Sequence, residues 1–524
     1  MALVSEKNNN ICLEDLNLKY GIKIVKSALV KSMKEALDFT RISGFPVALK
    51  IESQDILHKT DIGGVVLNIN SEEELKDSYN MINRSVKKNK PDAIIQGMIV
   101  QEMLKEGFEL IIGYNNDSTY GPTLMLGMGG IFTEAIKDVV FRLLPIKPKD
   151  ALEMIGSLKF SDILFKGFRN IPRVSRDMMA DLICKVAEMA LSIGKKIDSF
   201  DINPVIVWSD QYRVVDFKAV YSEKNKVLTT QIANTANLDI FFNSKNLALV
   251  GASDSKDKIG GLVLDSLIKN GYKGKIYPIN PKYGSVMGLK AYKSVMDIPD
   301  QIDLAVFTIS LARIPDILND FDKKNIKNAV IISAGGKEIG ETGIEEKIKE
   351  IAEVKEIRVI GPNCLGMFGG KSMIDTLFQP HEHMKRPDSG LISLISQSGT
   401  VGIAFLELLD GYGVSKFISY GNRIDVDEGD LIEYLAEDPL TRVISVYIEG
   451  LEKGRKFFNA VKKAAKIKPV IVYKAGRTPQ ASKAALSHTG FLTGTHNLIK
   501  GVMDQAGVIQ EDSIEKLLAT AKAL

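Results

Sequence analysis

Two of the five histidines in this sequence stand in loops suited to chemistry. His488 lies in Ala484-Ala-Leu-Ser-His-Thr-Gly-Phe-Leu-Thr-Gly494, after the apolar run Pro469-Val-Ile-Val-Tyr473 and the turn Lys474-Ala-Gly-Arg477. Small and glycine neighbours let another group approach closely and let backbone N–H groups face an anion. A neutral imidazole, with an unperturbed pKa of about 6.5, is a competent nucleophile near neutrality. The stretch reads as a phosphoryl carrier, with a plain solvent-facing loop as the alternative. His58 lies in Asp55-Ile-Leu-His-Lys-Thr-Asp-Ile-Gly-Gly64, either a phosphate-friendly loop or an ordinary surface turn.

Other groupings also carry chemistry. Lys50 sits in the apolar strand Pro46-Val-Ala-Leu-Lys-Ile51. An inward ammonium there needs a partner, either a nucleotide phosphate or an internal carboxylate. Residues 198–207 and 212–218 read as a hairpin that brings Asp201, Asn203 and Asp216 towards one end. Clustered oxygen ligands suit Mg²⁺; turn chemistry is the competing account. Ser396-Gln397-Ser398-Gly399 stands between a strand and a helix, where N–H donors and hydroxyls make an anion site. His381-Glu-His383 has i, i+2 spacing in an irregular loop with no third ligand nearby and is not read as a metal site.

The elements that must position these groups follow from the chain as a whole. At 524 residues it is too long for one core, so three or more domains are expected. Residues 1–221 read as mixed helices and antiparallel strands with glycine-rich ends, and 14–45 as helix, connector, helix. Residues 222–240 are polar, carry no strong period and read as a linker. Residues 241–369 alternate strands with helices, one of them over Ile314–Lys323, which implies a parallel sheet with its ligand at the strands' carboxyl ends. Those ends carry Gly251, Ser253, Lys282, Thr308 and Asn363. The first turn lacks Gly-x-Gly-x-x-Gly and gives no support for NAD. Residues 370–389 form a connecting loop, and 390–524 a further α/β region. The fold class is therefore α/β multidomain.

Sixty-eight basic residues against 65 acidic ones leave a net charge of +3, no reason to expect nucleic acid. Cys12, Cys184 and Cys364 form no metal-spacing motif and suggest a reducing compartment. The first ten residues hold no apolar signal segment, and no apolar run approaches a membrane span. The cytoplasm is the expected location.

Taken together, Ile56-Leu-His-Lys-Thr-Asp-Ile-Gly-Gly-Val-Val66, Gly127-Met-Gly-Gly-Ile131, Asp201-Ile-Asn-Pro204, Val250-Gly-Ala-Ser253, Gly361-Pro-Asn-Cys-Leu-Gly366, Ser396-Gln-Ser-Gly399, Tyr447-Ile-Glu-Gly450, Lys474-Ala-Gly-Arg477 and Ser487-His-Thr-Gly490 resemble the ADP-forming acyl-CoA synthetases (acetate–CoA ligase, ADP-forming) of the succinyl-CoA synthetase superfamily. The resemblance spans nearly the whole chain. It implies an ATP-grasp nucleotide-binding domain, a Rossmann-like CoA-binding domain and a flavodoxin-like ligase domain. It implies the reaction acid + CoA + ATP ⇌ acyl-CoA + ADP + phosphate, through an acyl phosphate and a phosphohistidine. His488 matches the phosphorylated histidine and His58 the second histidine, which hands the phosphoryl group to the nucleotide. Glu449 matches the glutamate that orients the first, and Asp201 the carboxylate at the ATP site. Lys50, Glu102 and Glu109 fall at the nucleotide, Glu102 by its backbone. Gly251, Ser253, Lys282, Thr308 and Asn363 fall at CoA, and Ser396, Gln397, Ser398 and Gly399 at the acyl phosphate. Asn203 and Asp216 match Mg²⁺ ligands.

Two departures stand out. The ATP-grasp region comes first, where the family commonly begins with the CoA-binding region. The family also has one further domain, of about 150 residues, beyond the point where this chain stops. That implies a truncated piece, a proteolysed product or a domain supplied by another chain. A homodimer or larger assembly is expected. The acid is a short-chain one, acetate or, from the ATP-grasp-first order shared with archaeal carbon-fixation synthetases, 3-hydroxypropionate or 4-hydroxybutyrate. The competing readings are a non-catalytic CoA- or nucleotide-sensing module, which commonly lacks the phosphohistidine, and succinyl-CoA synthetase, whose histidine motif reads more like Gly-His-Ala-Gly.

Overall fold

The computed structural model describes residues 11–53, 55–56, 59, 61–104, 107–130, 138–169, 171–222, 232–409, 411–476 and 496–524, without the side chain of His496. His58 and His488 lie outside the described residues. The chain divides into two compact units, residues 1–117 with 122–227, and residues 118–121 with 228–524.

The first unit holds two antiparallel sheets. A four-stranded one runs in the order Ser27–Val30, Ile95–Glu102, Val47–Ser53, Val65–Ile69. A six-stranded one runs Phe217–Tyr221, Ile197–Trp208, Phe108–Asp117, Gly121–Met128, Val139–Leu143, with Gln211–Val214 also paired to Ile197–Trp208. Its helices form for local reasons. Over Glu72–Asn89, Ser71 Oγ accepts from Glu74 N at 3.1 Å and Lys87 and Lys88 sit at the carboxyl end. Leu75, Ile82 and Val86 bury one stripe of that helix against the smaller sheet. The connector expected between the first two helices contains the strand Ser27–Val30. Four residues are too few to show alternation, and this edge strand exists because it pairs with Ile95–Glu102.

The second unit holds two mainly parallel sheets. In one, Lys275–Ile279, Asn246–Val250, Leu304–Phe307, Asn328–Ile331 and Arg358–Ile360 lie side by side, all parallel. In the other the order is Gly366–Gly369, Val414–Ser419, Ser389–Ser396, Val443–Ile448, Val470–Lys474, Ile509–Glu511, with only the first strand antiparallel. Strands covered on both faces are nearly continuous apolar runs, as in Val443–Ile448, where every residue is buried. Strand order reverses beside Asn246–Val250 in the first sheet and beside Ser389–Ser396 in the second, where such sheets open a crevice for ligands.

Two local readings change. The helix expected over Ile314–Lys323 is two short ones, Ile314–Leu318 and Phe321–Lys324, the second stopped at Asn325 with φ 50°. Strand Val414–Ser419 and helix Glu428–Glu437 fill ground that showed no clear pattern. Buried charges disguise both: Lys416 pairs with Asp438 at 2.5 Å, and Asp430 with Lys456 at 2.6 Å.

A second buried charge knot ties the linker to both sheets. Arg358 Nη1 donates to the carbonyls of Asn234 (2.6 Å) and Ala236 (3.1 Å). Its Nε donates to Asp425 at 3.0 Å and its Nη2 to Asp430 at 3.3 Å. Removing one member of a buried ionic network leaves the others without compensation. Arg358→Met is expected to destabilise the second unit by about 3–5 kcal/mol, read as a drop in its denaturant midpoint with no matching drop in the first unit.

Candidate active site

In the second unit, the ends of strands from both sheets close on a cavity of about 440 Å³, within the range of ligand sites. One wall is Gln397, Ser398, Gly399 and Glu449. The facing wall is Lys337, Glu338, Asn363 and Asn422, and between them lie Leu365, Phe378 and Ile403. The cavity thus gathers Asn363, Gln397, Ser398, Gly399 and Glu449, which sequence alone had placed on separate strand ends.

The Glu449 wall is held from several directions. Gln397 Oε1 accepts from Glu449 N at 2.8 Å and from Gly450 N at 3.2 Å. Because that oxygen is taken, the amide nitrogen of Gln397 remains as a donor. Lys474 Nζ donates to Glu449 O at 2.7 Å, and Arg423 Nη1 to Gly450 O at 2.8 Å. Tyr447 Oη lies 3.4 Å from Glu449 Oε1. Ser398 caps helix Gly399–Leu408, its Oγ accepting from Val401 N at 3.4 Å. The amino end of that helix opens on the cavity, a fitting place for an anion. Ser396 is fully buried and donates to Ser398 O at 2.6 Å, so it shapes this turn from behind.

On the facing wall, Asn422 Nδ2 donates to Glu338 Oε2 at 2.7 Å and Glu345 Oε1 at 2.6 Å. Glu338 Oε1 also accepts from Gly335 N (2.5 Å) and Gly336 N (3.2 Å). Burial alone would raise the Glu338 pKa, but these hydrogen bonds together pull it below its ordinary value. Lys337 Nζ pairs with Glu452 at 2.6 Å. Cys364 also lines the cavity, but burial pushes its thiol up to about 12, so it is no thiolate nucleophile. Asn422, Glu338 and Phe378 were not singled out from sequence, and Lys474 was read only as part of the Lys474-Ala-Gly-Arg477 motif, without a role of its own. Gly421 has φ +55°, and a Cβ there would meet Pro362 O at 2.1 Å.

The remaining CoA candidates build the first turn of the other sheet. Thr308 Oγ1 donates to Val250 O at 3.0 Å, and Ser253 Oγ accepts from Ser255 N at 3.1 Å. Gly251 has φ +95° and lies against Thr308. A Cβ at Gly260 would meet Gly251 O at 2.0 Å, so glycine lets the helix pack directly on the turn without the usual fingerprint. Lys282 is exposed; its backbone N donates to Asn280 Oδ1 at 2.9 Å. In the connecting loop His381 Nε2 sits 3.2 Å from Asp375 Oδ2.

In the first unit, Lys50 Nζ donates to Gln101 Oε1 at 2.8 Å, and Gln101 Nε2 to Val215 O at 3.1 Å. Its direct partner is therefore a neutral amide. Burial lowers the Lys50 pKa and the nearby Asp216 opposes this. Asn203 N donates to Asp216 O at 3.2 Å, and Asp201 lies opposite Lys218. Burial raises the Asp201 pKa and Lys218 opposes it. Gly113 lies across from Asp201, and a Cβ there would come within 3.1 Å of Asp201 Oδ1. Glu109 O accepts from Gly129 N at 2.7 Å, while Glu102 Oε1 accepts from Lys26 N at 3.0 Å. Among the described residues no group of three or more His, Cys, Asp or Glu could hold a metal. Likewise no helix there is long and apolar enough to cross a membrane.

Residues 11–220 match the ATP-grasp domain family, 245–370 the CoA binding domain family, and 389–524 the succinyl-CoA ligase like flavodoxin domain family. Acetate--CoA ligase [ADP-forming] II of Archaeoglobus fulgidus is 34% identical over 513 residues, 96% of this chain and 73% of that protein. The chain belongs to the ADP-forming acetate–CoA ligases. Within this family, 4-hydroxybutyrate--CoA ligase [ADP-forming] of Nitrosopumilus maritimus is 39% identical over 53% of this chain, which spans 40% of that protein. A solved structure of Ca. Korarchaeum cryptofilum, described as dinucleotide forming acetyl-coenzyme A synthetase 1 in complex with phosphate and ADP, aligns with a TM-score of 0.52 and 37% identity. It covers 55% of this chain and 62% of that one.

Each of the two walls yields an expectation. Gln397→Leu leaves two buried N–H groups without their acceptor, and each orphaned donor costs about 1–3 kcal/mol; denaturant unfolding measures this. Glu338 has a folded-state pKa below its unfolded value of about 4.3. Its contribution to stability is therefore present above that value and is lost as pH falls through the folded pKa. Wild type and Glu338→Gln should therefore differ in melting temperature at neutral pH, and the difference should shrink as acidification carries the medium down through the folded-state pKa.

Proposed function

We propose that this chain is an acid–CoA ligase that couples thioester formation to ATP ⇌ ADP + phosphate, with a short-chain monocarboxylic acid as substrate. The observation that carries this is the single cavity shared by Asn363 of the CoA-binding region and Gln397, Ser398, Gly399 and Glu449 of the ligase region. A thiol brought in from the CoA side meets an acyl phosphate held at the helix amino end and the Gln397 amide, where developing negative charge finds fixed donors. In the ATP-forming direction inorganic phosphate instead attacks the thioester carbonyl, releasing CoA and giving this acyl phosphate, which passes its phosphoryl group to His488 with release of the acid. Glu449 orients the imidazole and stabilises the cation that forms, while Lys474 and Gln397 hold the Glu449 backbone in place.

The second half of the reaction uses the first unit. His58 with Asp201 accepts the phosphoryl group from His488 and returns it to ADP, with Lys50, Glu102 and Glu109 at the nucleotide. Asn203 and Asp216 offer an amide and a carboxylate oxygen, a donor set that fits Mg²⁺ when substrate phosphates complete it. Bound there, the ion would neutralise charge on the transferring phosphoryl group. The relative that covers nearly the whole chain acts, by its name, on acetate, and another on 4-hydroxybutyrate. We place acetate and the short hydroxy acids in one substrate class for this site. A cytoplasmic location and a homodimeric or larger assembly fit the reading.

Incubation with [γ-³²P]ATP and Mg²⁺ tests the relay. Wild type should take acid-labile label on histidine, His488→Ala should lose the carrier label, and His58→Ala should block loading from ATP while phosphate with acetyl-CoA still labels His488. Label surviving in the double variant would overturn the two-histidine route.

A further inference from the structure

The connecting segment between the two parallel sheets carries no role in the reaction as derived, yet it supplies the largest apolar side chain on the cavity, Phe378. Its backbone is pinned on both sides. Asp375, fully buried, accepts from Leu377 N at 3.1 Å through Oδ1 and from Arg386 Nε at 2.6 Å through Oδ2. Ser266, on helix Ile259–Lys269, donates from Oγ to Leu377 O at 2.8 Å. Arg386 Nη2 reaches across to Gln379 O at 2.8 Å and Ser266 Oγ at 3.2 Å. The residues before and after Phe378 are thus fixed by charged or buried partners. Its ring packs partly on the core that holds Leu365 and partly faces the cavity.

The backbone that carries this ring cannot retreat to admit a longer ligand without breaking a buried ion pair. We propose that Phe378 is the specificity-determining wall for the acid, limiting the acyl group by length, with Asp375, Arg386 and Ser266 as its positioning residues. This rests on the ligase reading. Rigid apolar walls discriminate by clash with added methylenes, and Phe378 is the one aromatic side chain among the described residues that line the cavity.

The test uses binding of thioesters, so that no step of turnover enters. CoA, acetyl-CoA, butyryl-CoA and hexanoyl-CoA are titrated calorimetrically into the full chain and into Phe378→Ala and Phe378→Leu, whose folding is checked by melting. Wild type should bind acetyl-CoA much more tightly than hexanoyl-CoA. Phe378→Ala should narrow that gap by roughly tenfold or more and leave CoA itself unchanged, with Phe378→Leu intermediate. A common weakening of CoA and all thioesters means the ring faces the pantetheine arm or merely supports the fold, and overturns the proposal. So does a wild type that binds all three thioesters equally. A wild type that binds neither CoA nor any thioester removes the ligase reading itself, and the proposal with it.

Discussion

The amide oxygen of Gln397 accepts from two consecutive backbone N–H groups, Glu449 N and Gly450 N, and the candidate site depends on that contact. It joins the end of strand Ser389–Ser396 to the end of strand Val443–Ile448, the two strands between which the sheet order reverses. Lys474, at the end of the next strand, completes the grip from the far side. Three neighbouring strand ends are thereby locked in register. A carboxylate placed by its own backbone loses little freedom when it orients another group, which is the advantage of a site built on strand ends over one built on a free loop.

The cavity is a place where charge is managed by hydrogen bonds. Glu338 and Glu345 approach each other around the single amide of Asn422, from 84 and 77 residues away in sequence. Two carboxylates so close need donors aimed between them, and Asn422 with the Gly335 and Gly336 amides provides these. Lys337 is balanced by Glu452. The wall that faces Glu449 is polar but internally satisfied, so a ligand can enter without leaving a charge stranded.

How much of this was legible from sequence differed by residue. Asn363, Gln397, Ser398 and Gly399 could be picked out because glycine, hydroxyl and amide residues at the ends of apolar runs have few structural reasons to be there, whereas Glu449 came only with the resemblance carried by Tyr447-Ile-Glu-Gly450. Alternating strands and helices gave the first parallel sheet, and the resemblance to a flavodoxin-like ligase domain gave the second. Asn422, Glu338 and Phe378, and the grip of Lys474 on the Glu449 carbonyl, escaped because they arise from partners far along the chain, and local spacing contains no record of such pairs. Strand Val414–Ser419 escaped for a related reason: Lys416 sits inside it, and only Asp438 makes that burial tolerable. Lys50 showed the converse. An inward lysine was expected from the pattern, but the neutral amide that meets it, Gln101, lies on a neighbouring strand.

Gly260 and Gly261 leave no side chain between helix Ile259–Lys269 and the turn before it; a Cβ at Gly261 would meet Ser255 O at 2.0 Å. Surfaces in direct backbone contact have no compliant layer to absorb displacement. The turn and the helix must therefore translate together, as one mechanical piece. Ser266 lies on that same helix and holds the segment bearing Phe378. Under the proposed reading, with CoA at that turn and the acid at Phe378, a tilt imposed on the amino end of the helix would be transmitted along it to Phe378, so the first ligand to arrive would alter the geometry that the second one meets.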